Sequence, residues 1–528
     1  MTQMSVWVGA GVLTAGVSAA LLAGAGAAGA DTDTGAHTGS AGKSAAGNAK
    51  SDAGTPGSRS AAKQRTSRVE SAPTSDKVST KTARQLTVRT TEQSAVAGKP
   101  GARPARVTTT RVERAAQVAA VAEQVPTIPG IGDVIGPFQP DYPPLVRAVG
   151  SAIFNFIGAI VQTADGPPIV PPDLRDSIQV SSSTLVIAPG TEVAADWYYP
   201  TDGSQPQRLI YLQHGILASG PMYSYTASYL AQRTNSVVVV TTITSNPFAD
   251  GGMWLGGDNL HNAVAQLFLD DDRRALNASL TTATLNAGAS ALTVPDEFVL
   301  VGHSLGGGFA PGVAGHYAEG LVARRANGQD SGDETNHLAG VVTLDGVPFD
   351  PIVPNAMARL KALEDSNNGD AKDYVPVYEI GAPLNFLNSL SNVNEELSDA
   401  RPGKFNGVVV NGGVHMDSML GGNPLIQAAA YLVAGIPQPQ NPPAVQLLMA
   451  GWVNDMFSGA IDPTTGRCLG PDCQGTYGDP GDTIYIPTDE GEASAVVIDS
   501  GPLPAPAFVS TDRFIPLAAQ SIPASIAI

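Results

Sequence analysis

Residues 298–315 read FVLVGHSLGGGFAPGVAG, four apolar residues running into a serine set among glycines. Residues 298–301 read as a buried strand, and Leu305 onward reads as the start of a helix. Ser304 falls at the turn between them. A bare Gly-x-Ser-x-Gly match carries little weight in a chain with 58 glycines. Its context carries more. A sharp strand-to-helix turn crowds the backbone around its central residue, so small neighbours are needed, and Gly302 and Gly306 stand two residues to either side. The helix amino terminus beneath the serine favours developing negative charge. Pro311 and Gly312 fall early in that helix and predict a kink or an irregular start.

Outward from this point the pattern becomes regular. Apolar runs at 209–212, 237–240, 298–301, 341–344, 375–380 and 408–410 predict buried strands. Helix-like segments at 223–233, 259–269 and 354–364 lie between them. Alternating strands and helices predict an α/β class with a mostly parallel central sheet covered on both faces. Residues 184–187 and 191–199 predict an antiparallel entrance hairpin. Residues 267–291 read as a small lid or a surface excursion, and the Asp270-Asp271-Asp272 run as a solvated face.

The 528 residues carry 30 Lys+Arg against 48 Asp+Glu, a formal charge of −18, unevenly spread. Residues 31–125 hold 15 basic and 8 acidic side chains; from residue 126 onward the counts are 15 and 40. A basic segment thus precedes an acidic body. Residues 1–30 are small and apolar and end in Ala28-Gly29-Ala30, which predicts a secretory signal peptide or a retained N-terminal anchor. The first basic side chain is Lys43, so the amino terminus is the only positive charge ahead of the apolar run. Residues 31–124 contain no Phe, Trp or Tyr and show no lasting apolar period, which predicts a disordered spacer. Its positive charge suits contact with an anionic cell envelope. Without aromatics for stacking it does not suit nucleic acid. Residues 125–176 form a Pro- and Gly-rich lead-in with an apolar helix at 145–161. The catalytic domain is expected over 177–461 and a Pro- and Gly-rich extension over 462–528. The only cysteines, Cys468 and Cys473, flank a turn and predict one small disulfide, which fits an exported protein.

A serine hydroxyl is a poor nucleophile near neutral pH. It needs a base, a group that orients the base, and donors for the oxyanion. His415, in NGGVHMDSM, follows the last predicted strand and is the candidate base. Asp345, in VVTLDGVPF, ends the strand after the nucleophile's helix and is the preferred acid. Glu379, Glu395, Glu396 and Asp399 lie on or beyond the next strand, where the acid more usually sits, and Asp417 is too near His415 in sequence to orient it well. The oxyanion donors are expected to be the backbone amides of Leu305 and of Ile216, the latter in Gln213-His214-Gly215-Ile216. His214 reads as a brace for that loop. Phe248, Met253 and Trp254, in TSNPFADGGMWLGGD, are expected to line an apolar acyl pocket.

The order His-Gly loop, Ser304, Asp345, His415 on alternating strands resembles the α/β-hydrolase superfamily over residues 177–457. GHSLGG, LDGVPF and HMDSM are similar to the chlorophyllase and dienelactone-hydrolase-like branch, whose acid stands in a like Leu-Asp motif. The leader and spacer resemble those of exported actinobacterial esterases. The resemblance implies a serine esterase or lipase acting on esters with apolar acyl chains, with no cofactor and no metal. An acyltransferase would use the same triad on an envelope lipid or sugar. A non-catalytic envelope-binding protein would account for the spacer and leave the triad without a role.

Overall fold

Strand alternation sorts the apolar side chains onto two faces of one sheet, and the helices cover both. The computed structural model describes residues 144–327, 334–366 and 369–499. The leader, the spacer and the first part of the lead-in lie outside the described residues. The chain enters through helix α1 (Pro144–Asp165), longer than the apolar run alone predicts. The hairpin β1 (Ile178–Ala188) and β2 (Thr191–Pro200) follows. Then come β3 (Arg208–Gln213), α2 (Ser224–Thr234), β4 (Val237–Thr242), α3 (Asp258–Leu269), α4 (Arg274–Asn286) and β5 (Glu297–His303). The second half runs α5 (Gly306–Asn327), β6 (Leu338–Leu344), α6 (Ile352–Ser366), β7 (Val377–Gly381), α7 (Val393–Ala400), β8 (Gly407–Val410), α8 (Pro424–Ala434) and α9 (Asn441–Phe457). A short pair, β9 (Ile461–Asp462) and β10 (Arg467–Cys468), precedes the hairpin β11 (Thr483–Thr488) and β12 (Gly491–Val497).

The sheet has ten strands in the order β1-β2-β4-β3-β5-β6-β7-β8-β12-β11. From β4 to β8 all neighbours are parallel, and both edges are antiparallel hairpins. This is the α/β-hydrolase fold. Leu209, Tyr211, Val239, Phe298 and Leu300 face α3, α4, α5 and α6. Ile210, Leu212, Val238, Val299 and Val301 face α1, α2 and α9. Such strands, buried on both faces, read as unbroken apolar runs, which is why they stand out in sequence.

Helix α5 continues through Pro311, and its first amides bond three residues back, Gly307 N to Ser304 O at 2.8 Å and Gly308 N to Leu305 O at 3.1 Å, an irregular start. Two expectations change. Helix α4 is not a lid: Leu276, Leu280 and Ala283 are buried in the core, and Ser279 bonds Ser183 at 2.8 Å and accepts from Trp197 Nε1 at 3.0 Å. The segment expected as an extension beyond the domain supplies two strands, with Ala495, Val496 and Val497 of β12 paired to Val410, Val409 and Val408 of β8. Strands β11 and β12 bury alternate side chains, a half-buried pattern that flanking Gly and Pro obscure in sequence. Cys468 and Cys473 are joined by a disulfide in the loop leading to them. Asp270 and Asp271 form ion pairs with Arg274 and Arg324.

Candidate active site

The parallel strands end together, and their carboxyl ends carry the chemistry-bearing residues. The registers Gln213↔Gly302, His303↔Leu344 and Leu344↔Ile380 set Ser304 and Asp345 at the ends of adjacent strands. The ladder continues one step past both: Ser304 N donates to Leu344 O at 3.0 Å and Asp345 N to Ile380 O at 2.9 Å. Ser304 has φ 56° and Asp345 φ 42°, both in the left-handed region that side-chain-bearing residues avoid. Gly302 and Gly306 make the serine's turn feasible. A Cβ on Gly302 would collide with Gly306 O, and one on Gly306 would lie 2.6 Å from Gln213 O. Helix α5 therefore starts directly under Ser304, pressed against the end of β3.

His415 and Asp345 are both buried and share a hydrogen bond of 2.5 Å, from His415 Nδ1 to Asp345 Oδ2. The other carboxylate oxygen accepts from Ala382 N at 2.9 Å and from Asn388 Nδ2 at 2.9 Å. Burial opposes the charged form of Asp345, but the bond to His415, its charge and these donors outweigh it and hold the pKa below the usual carboxylate value. With Nδ1 committed to Asp345, Nε2 of His415 is the nitrogen left to take a proton. The hydrogen bonds of the described residues do not include one between Ser304 Oγ and His415.

The rival carboxylates sit elsewhere. Glu379 is buried within β7, where Oε1 accepts from Gly346 N at 3.0 Å and Oε2 has no partner among the described residues. Burial pushes its pKa up to about 8. Asp417 closes the turn that carries His415 by accepting from Val414 N at 2.9 Å, and burial pushes its pKa up to about 7. Glu395 and Glu396 lie in the first turn of α7, and Asp399 is exposed near its end.

The loop after β3 lies against the serine: a Cβ on Gly215 would stand 2.8 Å from Ser304 Cβ. His214 braces it. Its Nδ1 donates to Gly215 O at 2.7 Å and its Nε2 accepts from Ile243 N at 2.9 Å, and burial lowers its pKa to about 4. Among the hydrogen bonds of the described residues none uses the amide of Ile216 or of Leu305.

Two residues that sequence reasoning passed over join these parts. Gly215 N donates to Tyr223 Oη at 3.2 Å, Tyr223 Oη donates to His303 Nδ1 at 2.6 Å, and His303 Nε2 donates to His415 O at 2.8 Å. This buried chain ties the loop beside Ser304 to the elbow and to the backbone of His415. Burial, followed by the nearby His415 charge, lowers the pKa of His303 to about 3, so it bridges as a neutral ring. Asn388, the third such residue, grips both oxygens of Asp345. Only the adjacency of His303 to Ser304 was visible beforehand.

The residues expected to line an acyl pocket are divided between two surroundings. Phe248 packs on α1, with its ring centroid 6.2 Å from that of Phe154. Trp254 is buried beside Phe349, centroids 5.8 Å apart, and Met253 packs against the same core. Their loop is fastened to the one carrying Ile216 by Leu217 N donating to Ser245 Oγ at 2.8 Å.

No protein-family model and no curated protein matches the chain. Among solved structures it is similar to brefeldin A esterase, described as a bacterial homologue of human hormone-sensitive lipase, at 17% identity, covering 60% of this chain and 87% of that one with a TM-score of 0.34. It is also similar to a hyperthermophilic esterase from the archaeon Pyrobaculum calidifontis, at 14% identity over 66% and 98% of the two chains with a TM-score of 0.32. A third similar structure is carboxyl esterase 2 from the fungus Tuber melanosporum, at 12% identity over 60% and 99% with a TM-score of 0.33. At such identities and scores, the chemistry of this chain rests on its own site.

Proposed function

We propose that the protein is a serine hydrolase of carboxylic esters, using Ser304, His415 and Asp345. The observation that carries this reading is the buried His415–Asp345 hydrogen bond at the mouth of a strained serine turn. Ser304 Oγ attacks the ester carbonyl carbon while His415 Nε2 takes its proton. Asp345 fixes the tautomer of His415 and stabilises the imidazolium. The amides of Leu305 and Ile216 hold the oxyanion, supported by their lack of other acceptors. His415 then protonates the departing alcohol. Water, activated in turn by His415, attacks the acyl-enzyme, releases the acid and restores Ser304. The loop carrying Phe248 and Met253 forms the acyl side, with Trp254 shaping it from within the core. The Leu-Asp placement of the acid supports the chlorophyllase and dienelactone-hydrolase-like branch. The disulfide supports export to an oxidising compartment.

A series of p-nitrophenyl esters of rising chain length, with a fluorophosphonate label, tests the reading. Ser304→Ala is expected to lose both labelling and turnover. Full hydrolysis by that variant would reject Ser304 as the nucleophile.

A further inference from the structure

We infer that the face carrying helices α1 and α8 docks on an electrically neutral lipid surface. On α1, Leu145, Val149, Ile153 and Phe156 follow helical spacing and are exposed, Phe156 at 66%. The opposite side of the same helix is held by the body. Ile157 and Val161 are buried, and Ser151 Oγ and Asn155 Oδ1 accept from Asn246 Nδ2 at 2.7 and 3.1 Å. Helix α1 therefore lies on the protein with one apolar stripe outward. Helix α8 begins beside the end of α1. Its cap, Asn423, accepts from Leu425 N and Ile426 N while its Nδ2 donates to Ala164 O at 2.9 Å, so the end of α1 and the start of α8 are clamped together. Leu425 and Leu432 of α8 stand exposed, Leu432 at 66%.

Charge distribution selects the occupant. Residues 126–528 carry 40 acidic side chains. None lies between Pro144 and Ala164, where Arg147 is the only charged residue, and none of either sign lies between Ser418 and Asn454. Leu285 and Leu469 stand singly, and Leu384, Phe386 and Leu390 form a separate exposed group on the loop after β7. Arg147 is offset by the exposed Asp250 at 3.6 Å, so the two helices bring no net charge of their own and suit a surface without charge. Aliphatic and Phe side chains fit insertion among acyl chains. The basic spacer, which has no aromatics, has little to offer such a face. The same face adjoins the candidate site. Asp165 at the end of α1 accepts from Ser219 in the loop carrying Ile216, and α8 begins nine residues after His415. Docking itself does not depend on the hydrolase reading.

The full chain would be mixed with dioleoylphosphatidylcholine vesicles, separated by flotation, and followed by hydrogen–deuterium exchange. The expected result is co-flotation that high salt does not weaken, with slowed exchange in peptides covering 144–160 and 424–436. Val149→Glu/Phe156→Glu is expected to cut binding about tenfold or more, as loss of two inserted apolar side chains implies. Its near-ultraviolet circular dichroism and its turnover of soluble p-nitrophenyl acetate should match the parent chain, which separates loss of docking from loss of fold or of hydrolysis. Equal co-flotation of the two proteins would overturn the proposal in favour of binding through residues 6–22. Slow exchange of the α1 stripe without vesicles would overturn it in favour of cover by the chain's own tail. Concentration-dependent protection without lipid would overturn it in favour of a second copy.

Discussion

At the residue scale, the site turns on which carboxylate faces which imidazole. Asp345 bonds His415, whereas Glu396 sits on α7 and meets Asn392 at 3.2 Å. Asp345→Asn is accordingly expected to lower kcat by roughly 10³–10⁴-fold through the wrong His415 tautomer, with Glu396→Gln close to the parent rate; the p-nitrophenyl ester assay reads both. Glu379 gives a different signature. Its folded-state pKa of about 8 stands above the ordinary carboxylate value, so the folded protein binds a proton that the unfolded chain releases. Stability is then fullest at acid pH and falls as pH rises from the unfolded value through about 8. Glu379→Gln, a neutral near-isostere, is expected to flatten that fall, measured as denaturation midpoints across the same range. Ser304, Asp345 and His415 were legible as candidates because each follows a strand end in sequence. Asn388 was not, because its reach to Asp345 depends on how a loop of uncharged residues folds back.

At the element scale, the core strands were legible for a simple reason: both faces are buried, so apolar residues run without interruption. The edge strands were less so. Strand β1 buries only some of its side chains, and β11 alternates with exposed residues between Pro and Gly. The links between elements were invisible to periodicity. Tyr223 stands immediately before α2, His303 at the end of β5 and His415 on the loop beyond β8, yet one hydrogen-bonded chain joins them. Tyr223→Phe removes its middle member, leaving a buried Gly215 amide without its acceptor and a His303 nitrogen without its donor. We expect kcat to fall about tenfold, the effect of one to two kcal/mol of lost hydrogen bonding, while KM changes less. A fall in Tm with kcat unchanged would make the chain a structural brace only.

At the scale of the whole molecule, the α/β unit reaches to the far hairpin. Strand β8, which leads to His415, is four residues long and pairs with β7 on one side and β12 on the other. Asn411, just beyond it, donates through N and Nδ2 to Ser494 O and Oγ, each at 2.9 Å. Ending the chain at residue 461 is therefore expected to yield insoluble protein, since it bares the edge of β8 and the part of α9 around Trp452, whose Nε1 donates to Thr476 O at 3.0 Å. Soluble yield against a chain ending after Val497 checks this. The left-handed backbone at Ser304 and Asp345 has a different reach. Glycine occupies that region without steric penalty, so at these two positions it relaxes the chain that any other residue must bend. A sturdier backbone thus pulls against the side chains the proposed reaction needs. On the proposed reading, glycine at either position would trade turnover for a more relaxed backbone.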